Sequence, residues 1–142
     1  MFREAKTENH APQMENGILT EAQQKDAELI QLLLDKIVKK KGFENIRANA
    51  EGYETPAKIR RGKDTEEYFI PDCTGEVNGR KSYFELGMKS DDERELVTKW
   101  RLLSSLASYK HGKLYLAVPR GHMAFTNRIL ADYPIQAEVV KL

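Results

Sequence analysis

The chain has 142 residues, of which 23 are Lys or Arg and 22 are Asp or Glu, so its formal net charge is only +1. This length suits one domain with a proper core, and the near-neutral balance does not by itself indicate a partner. A single cysteine, Cys73, excludes an internal disulfide framework, and three scattered histidines give no zinc-site spacing. No apolar run approaches a membrane span and the N-terminus lacks a secretory signal, so we expect a cytoplasmic protein without a membrane partner.

The first part of the chain divides into a polar segment and a helix. Residues 1–20 have no hydrophobic period, so we expect a flexible N-terminal arm, with residues 21–142 forming a single domain. From Thr20 to Lys41 apolar residues recur at helical spacing and Gly42 follows, which predicts a core-facing helix. Asp26 lies on the same stripe one turn earlier, and its place in the first turn also suits the helix dipole.

A strand is predicted at residues 43–50, followed by a loop that carries a basic cluster. Its members are Lys58, Arg60, Arg61 and Lys63. Two interpretations of this cluster are equally good: the side chains follow a phosphate backbone, or they are solvated loop residues. The lysines at the end of the first helix are better explained as complements to the helix macrodipole.

Asn78-Gly79 predicts a hairpin between strands at about residues 67–77 and 80–89, because a type I′ turn needs positive φ at both central positions. With a two-residue loop, Val77 faces Arg80, and counting back pairs Asp72 with Glu85. The two acids then meet on one face with Cβ atoms roughly 5 Å apart, which is destabilising for like charges.

Three arrangements would relieve this repulsion. A divalent cation such as Mg²⁺ would bind between the carboxylates, or a basic side chain would pair with them. A bulge at Gly75 would instead slip the register and send the acids to opposite faces. A plain structural interpretation also stands, in which Asp72 ends a strand beside Pro71 and Glu85 pairs with a lysine.

The remaining elements predict an α/β fold. Ser90 and Glu93 form a capping box that begins a second long helix reaching Lys110. A buried strand follows at residues 113–118, then a helix at 121–132 and a strand at 135–140. A helix between two strands of one sheet implies a right-handed parallel crossover, so we expect a mixed sheet flanked by helices.

This arrangement resembles the PD-(D/E)XK, or restriction-endonuclease-like, nuclease superfamily. The resemblance covers about residues 21–119, with an αβββαβ core order, Pro71-Asp72 on the second strand and Glu85 on the third. It implies that Asp72 and Glu85 hold Mg²⁺ or Mn²⁺, with Asp26 as a further metal ligand from the leading helix. It also implies hydrolysis of phosphodiester bonds in nucleic acid, with DNA favoured, and the basic loop as a nucleic-acid-binding surface.

The sequence departs from the superfamily pattern at Gly87, where a catalytic lysine would stand two residues after the second acid. Lys89 is the nearest replacement on the same face, although its Cα lies roughly 13 Å from that of Glu85 instead of about 7 Å. Lys99 and Arg101 on the following helix are candidates for phosphate contacts or simply solvated charges, and His122 is either near a sheet end or a solvated loop residue. Two alternatives therefore accompany the nuclease: an inactive nuclease-like module that binds nucleic acid or protein, and a structural homo-oligomer. The resemblance also implies a possible homodimer, whose two sites would cut two strands.

Overall fold

The computed structural model describes residues 21–142, and the predicted arm at residues 1–20 lies outside them. Helix α1, Glu21–Leu33, continues as a π-helical turn at Leu34–Val38. The apolar stripe that predicted this helix is buried, and its innermost members are Ile30, Leu33, Leu34, Ile37 and Val38. Gly42 has a φ of 77°, a left-handed conformation that glycine adopts without strain, and the chain turns there into the sheet.

Strand β1, Glu44–Ala48, forms within the predicted range. The loop that follows contains β2 (Ile59–Arg60), which the sequence did not predict, and β3 (Tyr68–Phe69), which pairs antiparallel with it. Residues 68 and 69 lie within the strand predicted at about residues 67–77, but they pair with β2 and do not belong to β4. We call the segment from residue 58 to residue 69 the ribbon. Two-residue strands are too short to show alternation, so no sequence period marks them.

Strands β4, Cys73–Val77, and β5, Arg80–Leu86, form the predicted hairpin, although both are shorter than expected. Asn78 and Gly79 both have positive φ, at 52° and 75°, as a type I′ turn requires. The register is confirmed from Val77–Arg80 to Cys73–Phe84 without interruption, so no bulge occurs at Gly75.

Helix α2 spans Glu93–Tyr109, and its beginning corrects one prediction. The N-cap is Asp92, whose Oδ1 accepts a hydrogen bond from the Glu95 backbone N–H at 3.1 Å. The Ser90 hydroxyl instead accepts from the Asp92 N–H, so the serine shapes the turn before the helix. Asp92 and Glu95 have the same three-residue spacing as a capping box, and an aspartate is at least as good a cap as a serine.

The chain ends with strand β6, His111–Val118, helix α3, Met123–Asp132, and strand β7, Glu138–Lys141. The five long strands form one sheet in the order β1-β4-β5-β6-β7. The first three are antiparallel, whereas β5, β6 and β7 are parallel, so the predicted mixed sheet is confirmed. Within residues 21–142 no helix has the length and apolar character to cross a membrane.

Each face of the sheet carries its own hydrophobic cluster. α1 covers one face, where Leu33 and Val38 pack near Cys73 and Phe84. α2 and α3 cover the other, where Trp100 and Ile129 pack near Tyr83 and Leu116. Cys73 is fully buried, as expected for a small strand residue. Because side chains alternate along β5, Glu85 faces the α2 side together with Tyr83.

Candidate functional site

Asp72 and Glu85 lie side by side where β4 begins and β5 ends. Continuing the β4–β5 ladder one residue past Cys73–Phe84 places Asp72 opposite Glu85. The Asp72 backbone N–H donates to Glu85 Oε2 at 2.7 Å, and the Leu86 N–H donates to Asp72 Oδ2 at 2.9 Å. Each carboxylate is therefore held by a backbone group of the opposite strand, and the hairpin register brings the two acids together.

A lysine from α2 compensates the charge of this acid pair. Lys99 Nζ lies 2.9 Å from Glu85 Oε1. The same ammonium lies 5.5 Å from the centre of the Phe69 ring in the ribbon, within the range of a cation–π contact. Of the arrangements that the sequence left open, the structure contains the basic side chain, and we refer to Asp72, Glu85 and Lys99 as the charge cluster.

Burial sets the electrostatics of the charge cluster. Glu85 is 2% exposed, and this burial raises the pKa of its carboxyl above the ordinary value, with the charge of Asp72 adding to the rise. Lys99 and the Asp72 N–H act in the opposite direction, because both stabilise the ionised carboxylate. Burial alone would lower the pKa of Lys99, but the attraction of Glu85 and Asp72 outweighs it and leaves that pKa raised.

Gly87 is a packing requirement of α3. A Cβ at residue 87 would lie 2.9 Å from Val118 Cγ2 and 3.1 Å from Thr126 Oγ1. The Thr126 hydroxyl, which is fully buried, donates to the Gly87 carbonyl at 3.3 Å. Because Val118 on β6 and Thr126 on α3 fill the space that a side chain at residue 87 would need, a lysine there would force these neighbours to shift.

Lys89 and Asp26 are not brought to the charge cluster. Lys89 is exposed beyond the end of β5. The imidazole of His122 accepts a hydrogen bond from the Lys89 backbone N–H at Nδ1, at 3.0 Å. Asp26 is exposed on α1. Across residues 21–142, no three His, Cys, Asp or Glu side chains converge in a way that could hold a metal ion.

The basic cluster lies on the ribbon, next to the charge cluster through Phe69. Arg61 is committed to the fold, since its guanidinium lies 3.3 Å from Glu67 and 3.0 Å from Glu95 at the start of α2. Lys58 lies 4.5 Å above the Tyr68 ring but is exposed, as are Arg60 and Lys63. Three of the four predicted nucleic-acid-binding residues therefore present charge to solvent, and the fourth fixes the ribbon to α2.

A basic side chain next to the two acids was one of the arrangements that the sequence left open, but Lys99 was not identified as that residue and was expected to contact phosphate or to be solvated. A signal existed. Lys99 lies three residues after Leu96 and four before Leu103, on the edge of the apolar stripe that faces the sheet. A lysine on a core-facing stripe, in the helix that follows two facing acids, indicates an ion pair with them.

Comparison of the chain with protein-family models, curated proteins and solved structures finds no significant match.

Proposed function

We propose that this protein is a Mg²⁺- or Mn²⁺-dependent nuclease that hydrolyses phosphodiester bonds of nucleic acid, with a restriction-endonuclease-like core. The observation that carries the proposal is the charge cluster itself: two facing carboxylates and one ammonium on a single face of the sheet. These are the group types of the superfamily that the sequence resembles. The preference for DNA over RNA comes from that resemblance alone.

The donor set fits a hard divalent cation. Asp72 is half-buried, and within residues 21–142 its Oδ1 accepts no hydrogen bond, since only Oδ2 is used. When both are ionised, the two carboxylates carry two negative charges against the single positive charge of Lys99, and a divalent cation would offset the excess. Carboxylate oxygens are the ligands that Mg²⁺ and Mn²⁺ prefer. When bound, such an ion supplies charge that stabilises the attacking and leaving oxygens of phosphodiester hydrolysis.

Lys99 takes the role that the sequence analysis gave to Lys89. Its ammonium has three N–H donors, and one is directed to Glu85 Oε1. The other two can orient a water molecule or bind a phosphate oxygen next to the carboxylates. Its raised pKa keeps it a donor at neutral pH.

The exposed cations of the ribbon supply the proposed contact with the nucleic-acid backbone. Lys58, Arg60 and Lys63 lie on the segment whose Phe69 covers Lys99, so a strand held by these residues passes close to the charge cluster. Phosphate contacts of this kind position the substrate without reading its sequence. A homodimer with two such sites would suit cleavage of two strands. Light scattering measures the mass in solution and so distinguishes a monomer from a dimer.

The proposal is tested by a cleavage screen with fluorescent duplex, branched and single-stranded substrates in Mg²⁺ and in Mn²⁺. Asp72→Asn and Lys99→Met should each lose at least about 100-fold in rate, as expected for loss of one positioned charged group. Lys89→Met is the matched control and should cleave like the wild type. Full activity in Asp72→Asn, or loss in Lys89→Met but not in Lys99→Met, would contradict the assignment.

A second candidate function, a nuclease-like module that binds nucleic acid without cleaving it, is favoured by the Lys99–Glu85 contact. At 2.9 Å this ion pair already provides a positive charge where a metal ion would otherwise be needed. The module would show no cleavage with either ion but would still bind nucleic acid in a salt-sensitive manner. For duplex DNA, replacing Lys58, Arg60 and Lys63 together should lower the slope of log K against log salt by up to about 3.

A further inference from the structure

Asn49 lies in one row with the two acids of the charge cluster. The β1–β4 ladder pairs Arg47 with Thr74 and Ala48 with Cys73, so its next step places Asn49 opposite Asp72. A backbone hydrogen bond of 3.0 Å from the Asn49 N–H to the Asp72 carbonyl continues the ladder there. Because paired residues project to the same face, Asn49, Asp72 and Glu85 form a row across three adjacent strands.

The amide of Asn49 has a fixed orientation. Its Nδ2 donates to the Pro71 carbonyl at 3.3 Å, and the reverse orientation would place two acceptor oxygens against each other. The Oδ1 atom is consequently directed away from Pro71. It is buried, and it has no hydrogen-bond partner in the part of the chain that the structure describes.

A buried acceptor without a partner is energetically unfavourable, so an atom in this state indicates a missing partner. The neighbouring groups in the row are acidic and offer no donor to it. Amide carbonyl oxygens, like carboxylates, are hard ligands that suit Mg²⁺ and Mn²⁺. A positive ion at the acid pair would therefore satisfy the orphaned oxygen together with the free Oδ1 of Asp72.

We propose that Asn49 Oδ1 is a third oxygen ligand of the divalent cation held by Asp72 and Glu85; this inference rests on the proposed metal-dependent function. The leading helix contributes no ligand in this arrangement, and the third oxygen comes instead from the residue that follows β1. The Nδ2 hydrogen bond to Pro71 gives the same side chain a second task, since it holds the backbone next to Asp72.

Calorimetric titration of Mn²⁺ and Mg²⁺ into the full-length protein tests the inference without reference to catalysis. Asn49→Ala removes the oxygen, and we expect its affinity for both ions to fall by at least about tenfold, the smallest loss usual even for groups one step removed from a metal. Asn49→Asp keeps an oxygen and adds a charge while losing the bond to Pro71, and it should bind both ions at least as tightly as the wild type. Asn127→Ala, an exposed amide on α3, is the matched control and should not change the affinity.

The two variants of Asn49 distinguish a metal ligand from a residue that only holds the backbone at Pro71. If Asn49 only held the backbone at Pro71, both substitutions would weaken binding, because both lose the Nδ2 donor; that result overturns the inference, as does unchanged binding in Asn49→Ala. In either case a wild-type protein whose metal binding is lost in Asp72→Asn leaves the proposed function standing. A wild-type protein that binds neither ion overturns both. Thermal unfolding of each variant verifies that it is folded at the titration temperature.

Discussion

At residue 87 the structure favours a glycine, although the superfamily that the sequence resembles would have a lysine there. The residue faces α3, and Thr126 both fills the space beside it and hydrogen-bonds its carbonyl. The Gly87 N–H continues the parallel pairing of β5 with β6 through a 2.8 Å bond to Ala117. The positive charge next to Glu85 comes instead from Lys99, which reaches the carboxylate from a different element.

We predict that Gly87→Ala lowers the free energy of unfolding by about 1–3 kcal/mol, the usual cost of inserting a methyl group into a well-packed core. The contacting atoms belong to Val118 and the buried Thr126, neither of which is the end of a long flexible side chain. Gly62→Ala is the matched control, because its Cβ would only make an ordinary 3.7 Å contact with Thr65. Urea unfolding of both variants measures the difference, and equal stability of the two would show that residue 87 tolerates a side chain.

The acid pair could be predicted from the sequence because it depends on one local rule. Asn78-Gly79 fixes the turn, the turn fixes the register, and the register brings Asp72 to Glu85. Lys99 could not be assigned in the same way, since its contact depends on the rotation and position of α2 above the sheet. Asn49 was missed because β1 pairs with β4 across a long stretch of chain whose register no turn fixes.

At the scale of elements, the ribbon is the feature that sequence periodicity missed and that the candidate site depends on. Its two strands share two residue pairs, so the ribbon needs contacts outside itself to be stable. Ile59 and Phe69 provide apolar packing against the α2 face, and Arg61 bridges Glu67 to Glu95 on α2. These contacts hold Phe69 over Lys99.

We predict that Arg61→Ala loosens the ribbon while leaving the five-stranded sheet intact. The Arg61 side chain is 23% exposed and its guanidinium contacts two carboxylates, so its loss removes the link to α2. Amides at residues 59–69 should then exchange with deuterium at least about tenfold faster, which corresponds to roughly 1.4 kcal/mol of local stability. Lys63→Ala, an exposed residue of the same ribbon, should leave the exchange unchanged, and identical exchange in both variants would mean that apolar packing alone holds the ribbon.

The long elements were predictable and their ends were less so. Periodicity located α1, α2 and the strands of the hairpin, because each buries one face and therefore repeats apolar residues at its own spacing. The beginning of α2 shifted from Ser90 to Asp92 because two good capping residues stand close together, and only the folded chain shows which one accepts the bond.

At the scale of the whole molecule, the charge cluster lies where the strand pairing of the sheet changes from antiparallel to parallel. β5 is antiparallel to β4 and parallel to β6, and Glu85 lies near the carboxyl end of β5. The crossover through α2 puts Lys99 above that end, and the loop between β1 and β4 returns as the ribbon beside it. The mixed sheet could be predicted from the order of elements in the sequence. The contact of Lys99 on α2 with both Glu85 and the ribbon could be seen only in the folded chain.

Anomalous diffraction from a crystal soaked in Mn²⁺ would show whether Asp72 and Glu85 hold a divalent cation next to Lys99, as we propose. We predict an anomalous peak in contact with the carboxylates of Asp72 and Glu85, and no peak there in Asp72→Asn. A crystal without a peak at these carboxylates at a Mn²⁺ concentration that supports cleavage, with Lys99 still paired to Glu85, would contradict metal binding at this pair.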